Sequence, residues 1–266
     1  MASVVDGRAI ARDILTALRR DVDAQSRPPR LSIITCSPDV PTQRYLELKK
    51  RRAAAVGIQA RVIELLPQIT TPMLIEMVRR IAAESDGVVV QLPLPPHLDR
   101  EAVLAAIPVQ KDPDGFAYGH VAGACLPPVV GAIEEIAGRH AVSFAAKQVA
   151  IVGAGRLVGA PVAHYLRTVG AHVDVIEKGD RGRAAILGAA DIIITGVGVP
   201  NLIRAADVRP GVVVFDAGTS EDGGELVGDV APAVAKQAAV FTPVPGGIGP
   251  VTIAYLLRNL VQLARQ

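Results

Sequence analysis

Apolar positions recur along the chain at two periods, helical and extended, and the two alternate. Ile10, Ile14, Leu15, Leu18 and Val22 fall at helical spacing, after which Pro28-Pro29 stops the helix and Leu31-Ser-Ile-Ile-Thr-Cys36 reads as a strand. A second helix is predicted from about 42 to 56, with Gly57 as its C-terminal stop. Residues 61–65 form the next strand and 72–83 the next helix. Gly87-Val-Val-Val-Gln-Leu92 is an aliphatic strand that ends in Pro93-Leu94-Pro95-Pro96, because proline removes ladder donors. From about 116 to 148 the pattern weakens to one helix, 129–139, and a domain boundary belongs there. Beyond it a second series begins: strand 148–153, helix 158–169, strands 172–177, 191–195 and 211–216, and a short strand near 239–242. The last helix, 249–263, is apolar on one face through Ile253, Leu256, Leu257, Leu260 and Leu263, and is expected to return to the first domain.

This order predicts an α/β protein of two α/β domains, the second with a Rossmann-like parallel sheet; that they lie around a cleft, and that the second is a dinucleotide-binding domain, is what the glycine motif and the family resemblance given below imply. The assignment is 1–118 plus 248–266 for a catalytic domain and 119–247 for the dinucleotide domain. Composition supports parallel sheets. Half the residues are hydrophobic but only 3% are aromatic, with no Trp, so the core must be packed from Ala, Val, Ile and Leu. Lys and Arg number 28 against 26 Asp and Glu, too even a balance for phosphate-backbone binding, so nucleic acid is not an expected partner. The 2 cysteines, Cys36 and Cys125, make no disulfide framework, and no Cys/His spacing suggests a metal. No secretory signal and no apolar run long enough to span a membrane is visible, which predicts a cytoplasmic protein.

Gly153-Ala-Gly155-Arg156-Leu-Val158-Gly159 joins a strand to a helix, the context that a dinucleotide fingerprint requires. Gly153 permits the tight turn, Gly155 lets backbone approach a pyrophosphate, and the helix N-terminus supplies donors. The spacing is one residue longer than the usual GxGxxG, and the alternative is a Gly-rich turn that binds nothing. Glu177, 24 residues after Gly153, ends the following strand, where an acid accepts from ribose hydroxyls and disfavours a 2′-phosphate. That favours NAD over NADP. Lys178, Arg181 and Arg156 lie close in sequence and are able to reverse the preference by pairing with a 2′-phosphate.

Tyr45 and Lys49 share a face of one predicted helix. Such a pair can position a substrate and move a proton, particularly where burial lowers the lysine pKa. Lys49-Lys-Arg-Arg52 also reads as a solvated basic face. A Tyr-x-x-x-Lys pair marks short-chain dehydrogenases too, but there it follows the nucleotide-binding glycines, whereas here it precedes them. Gln91 ends a buried strand where α/β sheets meet ligands, and Asp114 sits in the turn Lys111-Asp-Pro-Asp114-Gly-Phe116. Its carboxylate either caps the turn or accepts paired donors from an amino-pyrimidine ring.

Together these segments resemble the bifunctional methylenetetrahydrofolate dehydrogenase/methenyltetrahydrofolate cyclohydrolases. The resemblance rests on Tyr45-Leu-Glu-Leu-Lys49, Asp86-Gly-Val-Val-Val-Gln91-Leu-Pro-Leu-Pro95, Lys111 to Phe116, Val152 to Pro161, Leu226-Val-Gly-Asp229 and Thr242-Pro-Val-Pro-Gly-Gly-Ile-Gly-Pro-Val-Thr252. The resemblance implies oxidation of N5,N10-methylene-tetrahydrofolate with NAD or NADP, then hydrolysis of the methenyl product to N10-formyl-tetrahydrofolate, in a homodimer. By the same resemblance Lys49 is the catalytic lysine, Tyr45 packs against the folate, Gln91 tunes Lys49 and Asp114 anchors the pterin. Pro93, Leu94, Pro245, Gly246 and Gly247 would line the substrate site. Gly153, Gly155, Arg156, Val158, Gly159, Glu177 and Lys178 would meet the dinucleotide.

The chain departs from the family at 119–130, which is several residues shorter, with Leu126 or Pro127 where the family has Thr. Two alternatives follow: a dehydrogenase with little cyclohydrolase activity, and a non-catalytic paralogue that binds folate or dinucleotide.

Overall fold

The aliphatic runs pair into two parallel sheets. The computed structural model describes residues 3–36, 38 and 40–265. The first elements are β1 (Ser3–Val4), α1 (Gly7–Asp23), β2 (Arg30–Cys36), α2 (Val40–Ala55), β3 (Gln59–Leu65), α3 (Thr71–Glu84), β4 (Gly87–Val90), α4 (Arg100–Ala105) and α5 (Pro128–Arg139). There follow β5 (Gln148–Val152), α6 (Gly159–Thr168), β6 (His172–Ile176), α7 (Arg183–Ala189), β7 (Ile192–Thr195), β8 (Val213–Asp216), β9 (Ser220–Asp222), β10 (Glu225–Val227), β11 (Val240–Phe241) and α8 (Ile248–Leu263). Residues 12–128 with 253–266 form one compact unit, and residues 1–11 with 129–252 form another. No helix among the described residues is long and apolar enough to cross a membrane.

The first unit is built on a parallel sheet in the order β3-β2-β4. β2 is central, and every residue from Leu31 to Cys36 is buried, as expected of a strand covered on both faces. α3 presents Leu74, Val78, Ile81 and Ala82 at helical spacing to a core that includes Ile34, Val88 and Val90. α4 carried too few residues to show a period. It is started by Asp99, whose carboxylate accepts from the Ala102 amide at 3.0 Å, and it buries Val103 and Leu104. The 253–263 part of α8 belongs to this unit, with Leu256, Leu257, Leu260 and Val261 all buried. Leu260 lies against Gly87, where a β-carbon would come within 2.5 Å of its Cδ1.

The second unit carries a sheet in the order β1-β11-β8-β7-β5-β6, with all neighbours parallel. Its core packs Val152, Ile193, Val214 and Phe241 with Leu187 of α7 and Val234. Besides the short α7, the β1 strand and the β9–β10 hairpin lie outside what the hydrophobic pattern predicts. β1 is two residues long and gains its place only by pairing Ser3 with Val240 and Val4 with Phe241. β9 and β10 form an antiparallel hairpin around Gly223-Gly224. Their three-residue strands are mostly exposed and have no apolar alternation to announce them.

Both sheets reverse direction beside a central strand. From β2 the chain goes to β3 on one side and then to β4 on the other; from β5 it goes to β6 and then to β7. Ligands of open α/β sheets bind at the carboxyl ends of the strands flanking such a reversal. In the first unit these ends lead to α2 and to Gln91. In the second they lead to 153–159 and to 196–199.

Candidate functional site

In the first unit, α2 follows β2 and carries Tyr45 and Lys49 one turn apart. Lys49 is 6% exposed, although its neighbours Lys50, Arg51 and Arg52 are more open to solvent. Its Nζ donates to Gln91 Oε1 at 3.0 Å and lies 4.9 Å from the centroid of the Tyr45 ring. Gln91 Nε2 in turn donates to its neighbour Leu92 O at 2.8 Å, which fixes the amide with its oxygen towards the lysine. Asp114 is near enough for its charge to act on both Lys49 and Tyr45. The structure therefore gathers the four polar residues singled out in the sequence, and Lys49 is not part of a solvated face.

Burial pushes the Lys49 ammonium below the ordinary lysine pKa, while the Asp114 charge opposes that shift. The same burial pushes the Asp114 carboxyl up, against the pull of Lys49. The Tyr45 phenol is raised by burial and then by Asp114, so it stays a hydroxyl. This is a lysine whose burial makes it easier to deprotonate than an exposed one, held by an amide and flanked by an aromatic ring and a carboxyl group.

The turn that carries Asp114 is held from three directions. Asp112, 3% exposed, accepts from the amides of Gly115 at 3.0 Å and Phe116 at 2.7 Å. Gly115 has φ +69°, and a β-carbon there would collide with the Cys125 carbonyl oxygen. Asn259 of α8 donates through Nδ2 to Pro113 O at 2.9 Å and to Leu126 O at 2.8 Å. The shortened segment is thus tied to the Asp114 turn. Asp112 and Asn259 were missed in the sequence; a buried Asn among the leucines of α8 was the available signal. Burial, then Asp114, pushes the Asp112 carboxyl up to about 7, and burial raises the Cys125 thiol to about 11. Pro93 is exposed and Leu94 half-buried, directly after Gln91.

In the second unit, Gly153 takes φ +89° and its amide donates to Ile176 O at 2.8 Å. A β-carbon on Gly159 would strike the Gly153 carbonyl oxygen, so strand and helix meet as closely as the fingerprint requires. Gly155 faces open space, which leaves its backbone accessible to a pyrophosphate. Val158 directly precedes α6, and Arg156 lies half-buried in the loop. Glu177 and Lys178 are exposed at the end of β6, and the Glu177 carbonyl accepts from Asp180 in a turn. These residues fit a dinucleotide. Pro245, Gly246 and Gly247 lie in this unit between β11 and α8, with Gly247 buried and Pro245 exposed.

Comparison with known proteins bears on both units. The family model described as tetrahydrofolate dehydrogenase/cyclohydrolase, catalytic domain, matches residues 5–114, and the NAD(P)-binding domain of the same family matches 127–266. A protein of Halothermothrix orenii named bifunctional protein FolD is 36% identical over 279 residues, covering 98% of either chain. The structure of bifunctional enzyme FolD-methylenetetrahydrofolate dehydrogenase/cyclohydrolase from Campylobacter jejuni is 30% identical with a TM-score of 0.94, covering 100% of this chain and 99% of that one. The Trypanosoma brucei N5,N10-methylenetetrahydrofolate dehydrogenase-cyclohydrolase, complexed with NADP cofactor and inhibitor, is 35% identical with a TM-score of 0.92, covering 99% and 97%.

Proposed function

The chain belongs to the tetrahydrofolate dehydrogenase/cyclohydrolase family, and from that premise we propose how its residues divide the work. It oxidises N5,N10-methylene-tetrahydrofolate to the methenyl form with a nicotinamide dinucleotide, and it hydrolyses the methenyl form to N10-formyl-tetrahydrofolate. Lys49 carries the hydrolysis. The observation behind this assignment is a buried lysine amine bonded to Gln91, lying on the Tyr45 ring and within the field of Asp114.

In the hydrolytic step water adds to the methenyl carbon and loses a proton; the bond from that carbon to N5 then breaks as N5 takes up a proton and the remaining hydroxyl proton leaves to solvent, which forms the formyl carbonyl. Lys49, its pKa lowered by burial, accepts the first proton as the neutral amine and returns one to N5. Gln91 holds the amine in place by accepting from it, and Tyr45 offers its ring as a packing surface for the folate. Asp114 accepts from the amino-pyrimidine end of the pterin. Pro93, Leu94, Pro245, Gly246 and Gly247 line the substrate.

Gly153, Gly155, Arg156, Val158 and Gly159 hold the pyrophosphate, and Glu177 and Lys178 meet the adenosine ribose. A dinucleotide held there would supply the nicotinamide acceptor for the hydride of the one-carbon bridge. The protein's part in that step is to orient donor and acceptor. NAD is the preferred form, because the exposed Glu177 carboxylate accepts from ribose hydroxyls and repels a 2′-phosphate. The protein works in the cytoplasm as a homodimer, as the family resemblance implies. Static light scattering tests the dimer.

The decisive experiment follows reduced nicotinamide and methenyl product together in stopped flow, for the wild type and Lys49→Met. The wild type should reduce NAD at a higher kcat/KM than NADP and release formyl product without methenyl accumulation. Lys49→Met should accumulate methenyl product, its cyclohydrolase turnover falling by roughly 10²–10⁴. Intact hydrolysis in that variant would remove Lys49 from the mechanism, and an NADP preference in the wild type would overturn the reading of Glu177.

A further inference from the structure

The second unit contains a polar knot that the reaction above does not use. Asp229 is fully buried, yet its carboxylate accepts four hydrogen bonds, all from the end of β7 and the loop that follows it. Oδ2 receives the Thr195 hydroxyl at 2.7 Å and the Val197 amide at 2.7 Å; Oδ1 receives the amides of Gly198 at 2.9 Å and Val199 at 2.8 Å. A second buried carboxylate holds the first in place. Asp216 accepts from the amides of Asp229 at 3.2 Å, Val230 at 2.9 Å and Gly218 at 2.9 Å, and its own amide donates to the Thr242 hydroxyl at 2.7 Å. Gly218 and Gly228 are crowded against these carboxylates, and a β-carbon at either would strike one.

The loop so held stands at the reversal of the sheet, beside the strand end that carries Gly153. A β-carbon on Gly153 would come within 2.9 Å of Val197 Cγ2, and one on Gly196 within 2.7 Å of Val158. The two loops therefore fit together with no room to spare. Val197 and Val199 nonetheless leave 41% and 43% of their surface exposed, with Leu157 of the glycine loop at 53%. Four bonds to one buried carboxylate are more than a surface loop needs to keep its course, and they fix its backbone at the point where a dinucleotide enters such a sheet.

We infer that Asp229 is a positioning residue for dinucleotide binding, which fixes the loop of residues 196–199 as the wall opposite the glycine loop. The inference rests on the reading that the dinucleotide lies on residues 153–159. Asp229→Asn keeps the shape but turns one acceptor oxygen into a donor facing donors, so half of the four bonds are lost. The KM and Kd for the dinucleotide should rise at least tenfold, while kcat at saturating dinucleotide stays within about threefold. Cyclohydrolase turnover on methenyl-tetrahydrofolate, assayed without dinucleotide, should stay within about twofold.

Should Asp229→Asn not fold, Thr195→Val removes one bond only, and a threefold or greater rise in dinucleotide KM with intact cyclohydrolase is expected. Unchanged dinucleotide KM in a folded Asp229→Asn, or in Thr195→Val where the first does not fold, overturns the inference. Gly155→Glu separates it from the reading beneath it, since a side chain there meets open space and places charge at the pyrophosphate. If Gly155→Glu binds dinucleotide normally, the site reading has failed; if it does not bind while Asp229→Asn does, only the positioning role has failed.

Discussion

A lysine taken out of water is costly to keep charged, and Gln91, the Tyr45 ring and Asp114 offset part of that cost for Lys49. The sign of the pH dependence follows. Its pKa lies below the ordinary value, and the neutral amine is the base, so cyclohydrolase kcat should climb with pH through that lowered value. Asp114 is the partner that raises it. Asp114→Asn should therefore move the rising limb of the kcat profile to lower pH, measured at saturating folate so that weaker binding does not intrude; a limb that stays in place would detach Asp114 from Lys49. Asp112 allows a separate test in unfolding. With its native carboxyl raised to about 7, the folded chain holds a proton that the unfolded chain releases near 4, so stability should fall as pH rises across that window. Asp216, raised to about 6, adds to the lower part of the same slope. Urea midpoints between pH 6 and 7.5 should flatten in Asp112→Asn, the Asp112 share of the loss relative to pH 4 being on the order of 3–4 kcal/mol at most. Of these residues Lys49, Tyr45, Gln91 and Asp114 were legible from spacing and resemblance. Asp112 and Asp229 were not recognised as structural carboxylates: Asp112 accepts from amides of its own turn and is set apart only by its burial, and Asp229 accepts from amides far away in the chain, neither of which a sequence displays.

At the scale of elements, both sheets place their candidate chemistry by the same device, a reversal beside a central strand. The aliphatic strands and the longer helices were readable because burial on both faces leaves runs of Val and Ile, and burial on one face leaves a helical stripe. α4, α7 and the β9–β10 hairpin were not, being too short to complete a period or too exposed to need one. Asn259 shows how an element far along the chain governs a site. From α8 it ties the peptide before Asp114 to Leu126 in the shortened segment. Asn259→Leu should leave two carbonyls without their donor and cost about 2–4 kcal/mol. Folate KM should rise roughly tenfold in both reactions by the corresponding loosening of Asp114, with dinucleotide KM unchanged. Steady-state kinetics with each substrate varied in turn checks this. An equal rise in both KM values would mean a general loss of order.

At the scale of the molecule, neither unit is continuous in sequence. The folate unit takes residues 12–128 and then waits for 253–266, while the dinucleotide unit takes 129–252 and recruits the first 11 residues. The sequence hinted at the return of the last helix through its apolar face, but nothing in two residues such as Ser3 and Val4 announces a strand whose partner lies more than two hundred positions away. The consequence is testable by truncation. Residues 253–263 bring Leu256, Leu257, Leu260 and Val261 into the buried interior, each leucine contributing about 1.5–3 kcal/mol by burial, against a total stability of about 5–15 kcal/mol for a folded domain. A chain ending at residue 252 also loses Asn259, hence the bonds that tie the Asp114 turn at Pro113 to Leu126. Such a chain should lose cyclohydrolase activity altogether, and the loss should be deeper than in Asn259→Leu, because an apolar core is removed together with a polar clamp. Adding residues 253–266 back as a separate peptide should restore measurable turnover, saturating with peptide concentration, if the missing strip acts by filling its place; a truncated chain that hydrolyses methenyl-tetrahydrofolate at the wild-type rate would show that the folate unit is complete without it.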